Sequence, residues 1–326
     1  MNHRNARRTA ALATGCLAVA CTSGPWDVAA LTLRHPELAE ISSHRLGDLT
    51  PYLLPTGDTL LFFLCHWPAG AAIPVSLPGD ASDEERSGLA AVMRAWEGAG
   101  LGIRFTTGAP PGAGIDVTFI DPEGGTTGGY AANTITDCAV DPGTLDRDPG
   151  GRLRAQLVTA SIHVWRGGYD NVGRKVPHSN AEFLGSALHE FGHALGYQGH
   201  ANVGRTVMVR EIDSVRWAGQ ALLKDKPFED ATLRALYAIP SGTIVKRVPI
   251  DEARTRRVGI MARIAAERGL RGPLVRVGDV DGQLAWRSDD GREYALRIHD
   301  VRKLLRSSEA FWLRPTSAAN ELLDAI

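Results

Sequence analysis

The sequence predicts a mixed α/β fold, a twisted sheet carrying helices, and three observations lead to it. Alternating apolar and polar residues mark strands at AIPVSLP, LGIRFTT, GIDVTFID and AQLVTASIHVW. Two longer segments carry apolar residues at helical spacing instead. The order strand, helix, strands, helix then suits helices packed on a mixed sheet.

The 326-residue chain is long enough for one sizeable core with appendages, or for two modest domains. Its apolar and charged fractions, 44% and 22%, are ordinary for a soluble globular protein. A formal net charge of −1 gives no electrostatic reason to expect a nucleic acid or an anionic membrane surface as partner.

Residues 1–20 read as a signal peptide. MNHRNARR is basic, TAALATGCLAVA is apolar but too short to span a bilayer, and Ala18-Val19-Ala20 fits a small-residue cleavage site. The expectation is an exported protein: secreted, periplasmic or held at the cell envelope. LAVAC also resembles a bacterial lipobox, which would make Cys21 a lipidated N-terminus and the one route to a membrane. Plain secretion with an incidental cysteine is the alternative. Cys16 leaves with the leader, so Cys65 and Cys138 remain as candidates for a disulfide in an oxidising compartment.

Residues 21–71 form a lead-in whose one strong apolar run is TLLFFLCHWP. The main domain, 72–240, opens with the strand AIPVSLP. A helix follows in DASDEERSGLAAVMRAWEGAG, with Ser82 as N-cap, an acidic first turn, and Leu89, Val92, Met93 and Trp96 as its buried stripe. LGIRFTT and GIDVTFID are strands separated by a Gly/Pro turn. Residues 122–153, rich in Gly, Asp, Thr and Pro, are expected to form a long surface loop. Asp137, Asp141, Asp146 and Asp148 there raise the question of calcium, but their spacing is not that of an EF-hand, and solvated turn chemistry accounts for them. AQLVTASIHVW is a half-buried strand. Ser179 or Asn180 then caps a helix over 181–195, with Leu184, Leu188, Phe191 and Leu195 on one face.

That helix runs into HEFGHALGYQGH, residues 189–200. His189 and His193 project from one side of a helix, one turn apart, and so can bind one tetrahedral zinc. Glu190 stands beside the first of them, as a general base for a metal-activated water requires. H-E-x-x-H alone is short enough to arise by chance on an amphipathic helix. Three further residues weigh against chance. Gly196 can stop the helix in a left-handed conformation, His200 follows just beyond, and Met208 comes eight residues later.

These residues resemble the metzincin zinc peptidases, whose signature H-E-x-x-H-x-x-G-x-x-H precedes a methionine turn, and the matrixin type in particular. KPFEDATLRALY (226–237) resembles the third helix that closes that domain. ASIHVW resembles the strand before the active helix, GGYAAN the segment ahead of it, and SDEERSGLAAVMRAWEGAGLGIRF the first helix and second strand. The resemblance covers about residues 72–240. It implies a zincin fold with an active-site helix, a methionine turn and a closing C-terminal helix. It also implies one catalytic Zn²⁺ on His189, His193 and His200, with Glu190 as general base and then proton donor to the leaving amine. The implied partner is a protein or peptide substrate, extended along an edge strand, for which AQLVTASIHV is the expected edge. A further role weighed for Cys65 is a latency thiolate on the metal, although its neighbours do not resemble the family's propeptide switch.

The chain departs from the family pattern in three places. The signature would put its third histidine at 199, which is Gly199; one residue is inserted in GYQGH. The spacing from His200 to Met208 agrees with the family, so the insertion precedes His200 and leaves it the ligand role. The alternative is a solvated His200 and a zinc held weakly by two ligands. Arg210 stands where matrixins have Pro and other metzincins Tyr, so it either shapes the pocket or faces solvent. His163 matches one ligand of the matrixins' structural zinc, but Trp165 replaces an aspartate, and no structural zinc is expected. His66 and His178 are expected to be surface histidines.

Residues 241–326 lie beyond the resemblance and read as a small accessory α+β extension. DEARTRRVGIMARIAAERG is an amphipathic helix, PLVRVGDVDGQLAWRSDDGREYALRI strands with Asp-Gly turns, and HDVRKLLRS a short helix. Trp286, Tyr294 and Trp312 are core residues or a binding surface. The expected protein is thus an exported single-zinc endopeptidase. Two readings compete with it: a non-catalytic binding or structural protein that retains the fold, and a zincin whose third ligand is Glu211 or Glu229.

Overall fold

The computed structural model describes residues 51–121, 132–144, 152–169, 174–201, 206–209, 211–226 and 230–252, and the backbone of three strands beyond them. The leader with Cys21, Asp146, Asp148, Arg210, Glu229, the two C-terminal helices and the side chains of Trp286, Tyr294 and Trp312 lie outside the described residues.

Strands β1 (Tyr52–Thr56) and β2 (Thr59–Phe63) form an antiparallel hairpin. β3 (Ala72–Ser76) then leads into helix α1 (Asp83–Gly98). Ser82 caps α1 through a reciprocal capping box with Glu85, a device worth about 1 kcal/mol. Its buried stripe is Leu89, Val92, Met93 and Trp96, as helical spacing predicts. β4 (Arg104–Thr107), β5 (Ile115–Ile120), β6 (Ala132–Asp141) and β7 (Arg154–Trp165) complete a five-stranded sheet in the order β4-β3-β5-β7-β6. All pairings are parallel except β6 with β7.

Two expectations fail here. Residues 122–153 are not one long loop, because β6 occupies ten of them. AQLVTASIHV is not the edge, because β7 pairs with β5 on one side and β6 on the other. The physical reason is shared. The half-buried row of β6 is Ala132, Thr134, Thr136, Cys138 and Val140, alternating with exposed residues. Small and polar side chains make that alternation look like turn composition, not like a strand.

A short ribbon of β8 (Gly167–Tyr169) and β9 (Lys175–Pro177) precedes helix α2 (Asn180–Ala194). α2 lies against β6 and β7. Phe191 meets Phe105 edge-on at 5.6 Å, and Phe183 meets Phe119 at the same distance. α3 (Ile212–Leu222) was not legible in the sequence, since it buries only Val215, Ala218 and Gly219 while Ile212 and Trp217 stay exposed. α4 (Ala231–Ala238) and β10 (Ile244–Pro249) follow. Further on, β11 (Val275–Val280), β12 (Gln283–Arg287) and β13 (Glu293–Leu296) form an antiparallel meander, with Asp281-Gly282 between the first two.

The core extends beyond residues 72–240. β2 sits between β1 and β10, and Leu60 to Cys65, Trp67, Ile244, Val245 and Val248 belong to the same buried cluster as the main sheet and helices. Cys65, just after β2, is joined to Cys138 of β6 by a disulfide, with their Cα atoms 6.4 Å apart. Cys65 is therefore not a thiolate available to a metal. Closing a loop 73 residues long stabilises the fold by about 4 kcal/mol on the chain-entropy account. His66, expected at the surface, is buried; its Nδ1 lies 2.6 Å from the Trp67 carbonyl and its Nε2 2.8 Å from that of Ile239. His178 is half-buried.

α2 and α3 meet backbone to backbone. A Cβ at Gly185 would run into the Val215 carbonyl, and one at Gly219 into that of Ala181. Gly219→Ala should therefore cost about 1–3 kcal/mol through overpacking, read as a lowered thermal midpoint, whereas Gly79→Ala, which meets nothing, should not. An ion pair also crosses this interface, with Arg216 2.7 Å from Glu182. Burial pushes the Glu182 carboxyl up, but hydrogen bonds from Arg216 and Ser179 outweigh it and bring it from 4.5 to about 2. A depressed folded-state value means stability that is present above pH 4.5 and lost as pH falls through 2. Glu182→Gln should accordingly melt below the unsubstituted protein at neutral pH. The gap should close as pH falls toward 2; a gap independent of pH would remove the linkage.

Candidate metal centre

The site grows from the way α2 ends. Twelve of its residues are buried, so the carbonyls at its C-terminus cannot turn to water. Each finds a protein donor. Leu195 N–H donates to Phe191, Tyr197 N–H to Gly192 and Gly196 N–H to His193, the last two forming a Schellman motif. The Trp67 indole N–H donates to the Ala194 carbonyl at 2.8 Å, and the Tyr237 hydroxyl to that of Leu195 at 3.0 Å. Gly196 takes φ 107°, which an L side chain rarely adopts, and a Cβ there would also approach the Cys65 carbonyl to 2.6 Å.

This abrupt stop turns the chain back beneath the helix. Gly199 takes φ 98° and delivers His200, whose ring lies 5.1 Å from that of His189 and 4.9 Å from that of His193 between centroids. The loop before His200 thus has a left-handed glycine at each end. The ligand-capable nitrogens of His189, His193 and His200 all lie within 4.8 Å of one another. Glu211, the alternative third ligand, is exposed at the start of α3 and is not in that group.

Hydrogen bonds orient two of the rings. His189 Nδ1 lies 2.6 Å from the Val207 carbonyl and His193 Nδ1 2.6 Å from the Tyr197 carbonyl. A carbonyl only accepts, so each Nδ1 carries a proton and donates it. The Nε2 atoms then present electron pairs, and they face each other at 3.1 Å. Such an approach is repulsive unless a proton or a cation lies between them. Two nitrogens bound tetrahedrally to one zinc, at 2.0–2.1 Å each, would stand roughly 3.3 Å apart. The donor set and its spacing therefore fit zinc.

Met208 lies fully buried under the helix. A Cβ at Gly192 would strike its sulfur, so the residue between Phe191 and His193 has to be glycine for the methionine to fit. The turn that carries it is pinned at both ends. Ala201 N–H donates to the Met208 carbonyl at 2.9 Å, and Thr206 Oγ1 donates to Asp230 Oδ2 at 2.7 Å. Asp230 is buried and accepts from Leu233 N–H through its other oxygen, capping α4. One carboxylate thus couples α4 to the turn that carries Met208, and through Val207 to His189.

Glu190, next in sequence to His189 on α2, is buried, only 5% exposed. Its Oε2 accepts from Thr134 Oγ1 of β6 at 2.6 Å. Burial pushes the carboxyl up from 4.5 to about 7, against the lowering effect of Thr134. A carboxyl poised there can take and return a proton near neutral pH. The three histidines singled out in HEFGHALGYQGH are therefore brought together, and Glu190 is buried next to His189 along α2. Thr134, Gly192, Gln198 and Asp230 were missed as site residues. Asp230 had a signal in its capping position; the others act through contacts that local spacing does not encode. His163, expected to be structural only, has its Nδ1 2.8 Å from Asn133 Oδ1 on the neighbouring strand.

No protein-family model matches the chain, and no curated protein matches it in sequence. Solved structures do show similarity. High choriolytic enzyme 1, a hatching-enzyme zinc protease from Oryzias latipes (medaka fish), is 22% identical over 42% of this chain and 50% of its own, with a TM-score of 0.24. Myroilysin is 25% identical over 40% of this chain and 43% of its own, with a TM-score of 0.21. The chain thus spans half the length of the first and less than half of the second.

Proposed function

We propose that the chain is a zinc-dependent endopeptidase of the metzincin type. The observation that carries this reading is the convergence of His189, His193 and His200, with two Nε2 atoms 3.1 Å apart, on a helix where Glu190, next to His189, is buried. The three histidines would hold the metal. A bound zinc would supply Lewis-acid chemistry, acidifying water and polarising the scissile carbonyl.

The remaining work falls to the chain itself. Glu190 takes the proton of the attacking water and returns it to the leaving amine. Thr134 holds one carboxylate oxygen and leaves the other for the water. β6, the last strand in the sheet order, replaces β7 as the edge along which an extended protein or peptide substrate lies. The catalytic unit runs from β1 to β10, because the strands on both flanks of residues 72–240 share its core. The Cys65–Cys138 disulfide supports export to an oxidising compartment, free or anchored at Cys21.

The test is digestion of an unfolded protein mixture by the full chain, with zinc per chain measured in parallel for Glu190→Ala, His200→Ala and Glu211→Ala. The unsubstituted chain should hold one zinc and cut. Glu190→Ala should keep the metal and lose about 10²–10⁴-fold in rate, the usual worth of a general base. His200→Ala should lose metal, and Glu211→Ala should behave as the unsubstituted chain. Zinc without cleavage in every sample would favour a binding protein that retains the fold, and no zinc in any would end the metal reading.

A further inference from the structure

The inserted residue poses a problem that the two glycines only half solve. They let the chain turn, and the N–H groups of Gly196 and Tyr197 tie the first half of the loop into α2, but Gln198 and Gly199, with φ 98° at the latter, lie beyond that tie. In that second half the Gln198 N–H reaches back to the Gly196 carbonyl at 2.9 Å. Yet two ligands depend on that loop. The Tyr197 carbonyl orients the ring of His193, and Gly199 leads directly to His200.

The side chain of Gln198 supplies the missing definition. Its amide N–H₂ donates to the Tyr52 hydroxyl at 3.0 Å and to Thr136 Oγ1 at 2.9 Å, and those two oxygens are themselves 2.7 Å apart. Three polar groups close a ring. The ring spans β1, β6 and the loop, so three separate segments meet at one point. Burial raises the Tyr52 pKa, which keeps the phenol neutral and able to take part on both sides. Opening such a ring leaves partly buried polar groups short of partners, which costs more than losing a hydrogen bond at the surface.

We infer that Gln198, held by Tyr52 of the lead-in strand and Thr136 of the edge strand, is a positioning residue that sets the affinity of the three-histidine site for its metal. The inference rests on the metal reading above. It goes beyond that reading by making β1, outside the stretch that carries the sequence resemblance, part of the metal site's support.

The experiment measures zinc affinity of the full chain by competition with a chelating dye, for Gln198→Met, Tyr52→Phe, their double variant and Thr136→Ser. Gln198→Met keeps the length of the side chain and removes its donors; Thr136→Ser keeps the hydroxyl. Each of the first two should weaken zinc by about tenfold, the lower end for groups that orient metal ligands. The double variant should be no weaker than either single one, since both open the same ring, and Thr136→Ser should bind as the unsubstituted chain does. Thermal midpoints of the zinc-free proteins, measured alongside, should not follow the affinity series. Unchanged affinity in both single variants would overturn the inference. So would losses that add in the double variant and track the zinc-free midpoints, which would make the ring merely structural. A failure of the unsubstituted chain to hold zinc is a different result, and it would remove the metal reading on which the inference stands.

Discussion

A buried helix that stops one residue after its last histidine leaves carbonyls in a place water cannot reach, and most of the structure around the site answers that constraint. The bonds from Gly196 and Tyr197 back into α2 satisfy two of those carbonyls from within. The other donors come from far away in sequence, Trp67 after β2 and Tyr237 on α4. This is why the segment 51–71 is part of the fold. Its indole completes the end of the helix that presents the histidines. The same stop directs the chain back under the helix, where His200 and Met208 arrive.

The second organising element is β6. An edge strand facing a core would ordinarily show apolar residues on its inner row. Here that row holds Thr134 and Thr136. Thr134 bonds Glu190, Thr136 bonds Gln198, and Cys138 next on the same row is tied to Cys65. A strand used this way trades apolar burial for placement of polar groups. The disulfide and its pairing with β7 hold it in the sheet despite that trade.

Close approaches of backbone serve the same end. α2 accepts α3 through Gly185 and Gly219, and accepts Met208 through Gly192. In each case an ordinary Cβ would occupy the space the neighbour needs. Asp230 then carries the position of α4 into the turn around Met208 through Thr206. The histidines are therefore held from below by the turn, from behind by the sheet and at the helix end by the lead-in.

The sequence by itself determined what depends on local periodicity and local chemistry. Helical spacing put His189 and His193 on one side, capping residues set the starts of α1 and α2, and the glycine after the second histidine marked the stop. Tertiary structure alone decided what depends on residues distant along the chain. It turned part of a presumed loop into the edge strand, because the alternation of β6 is written in small polar side chains that propensity reads as turn. It enclosed His66, paired Cys65 with Cys138, and brought Tyr52 and Thr136 to Gln198 across 146 and 62 residues of chain. A strand or helix repeats every few residues and leaves a pattern in sequence, whereas a contact between segments this far apart exists only once the sheet order has been set.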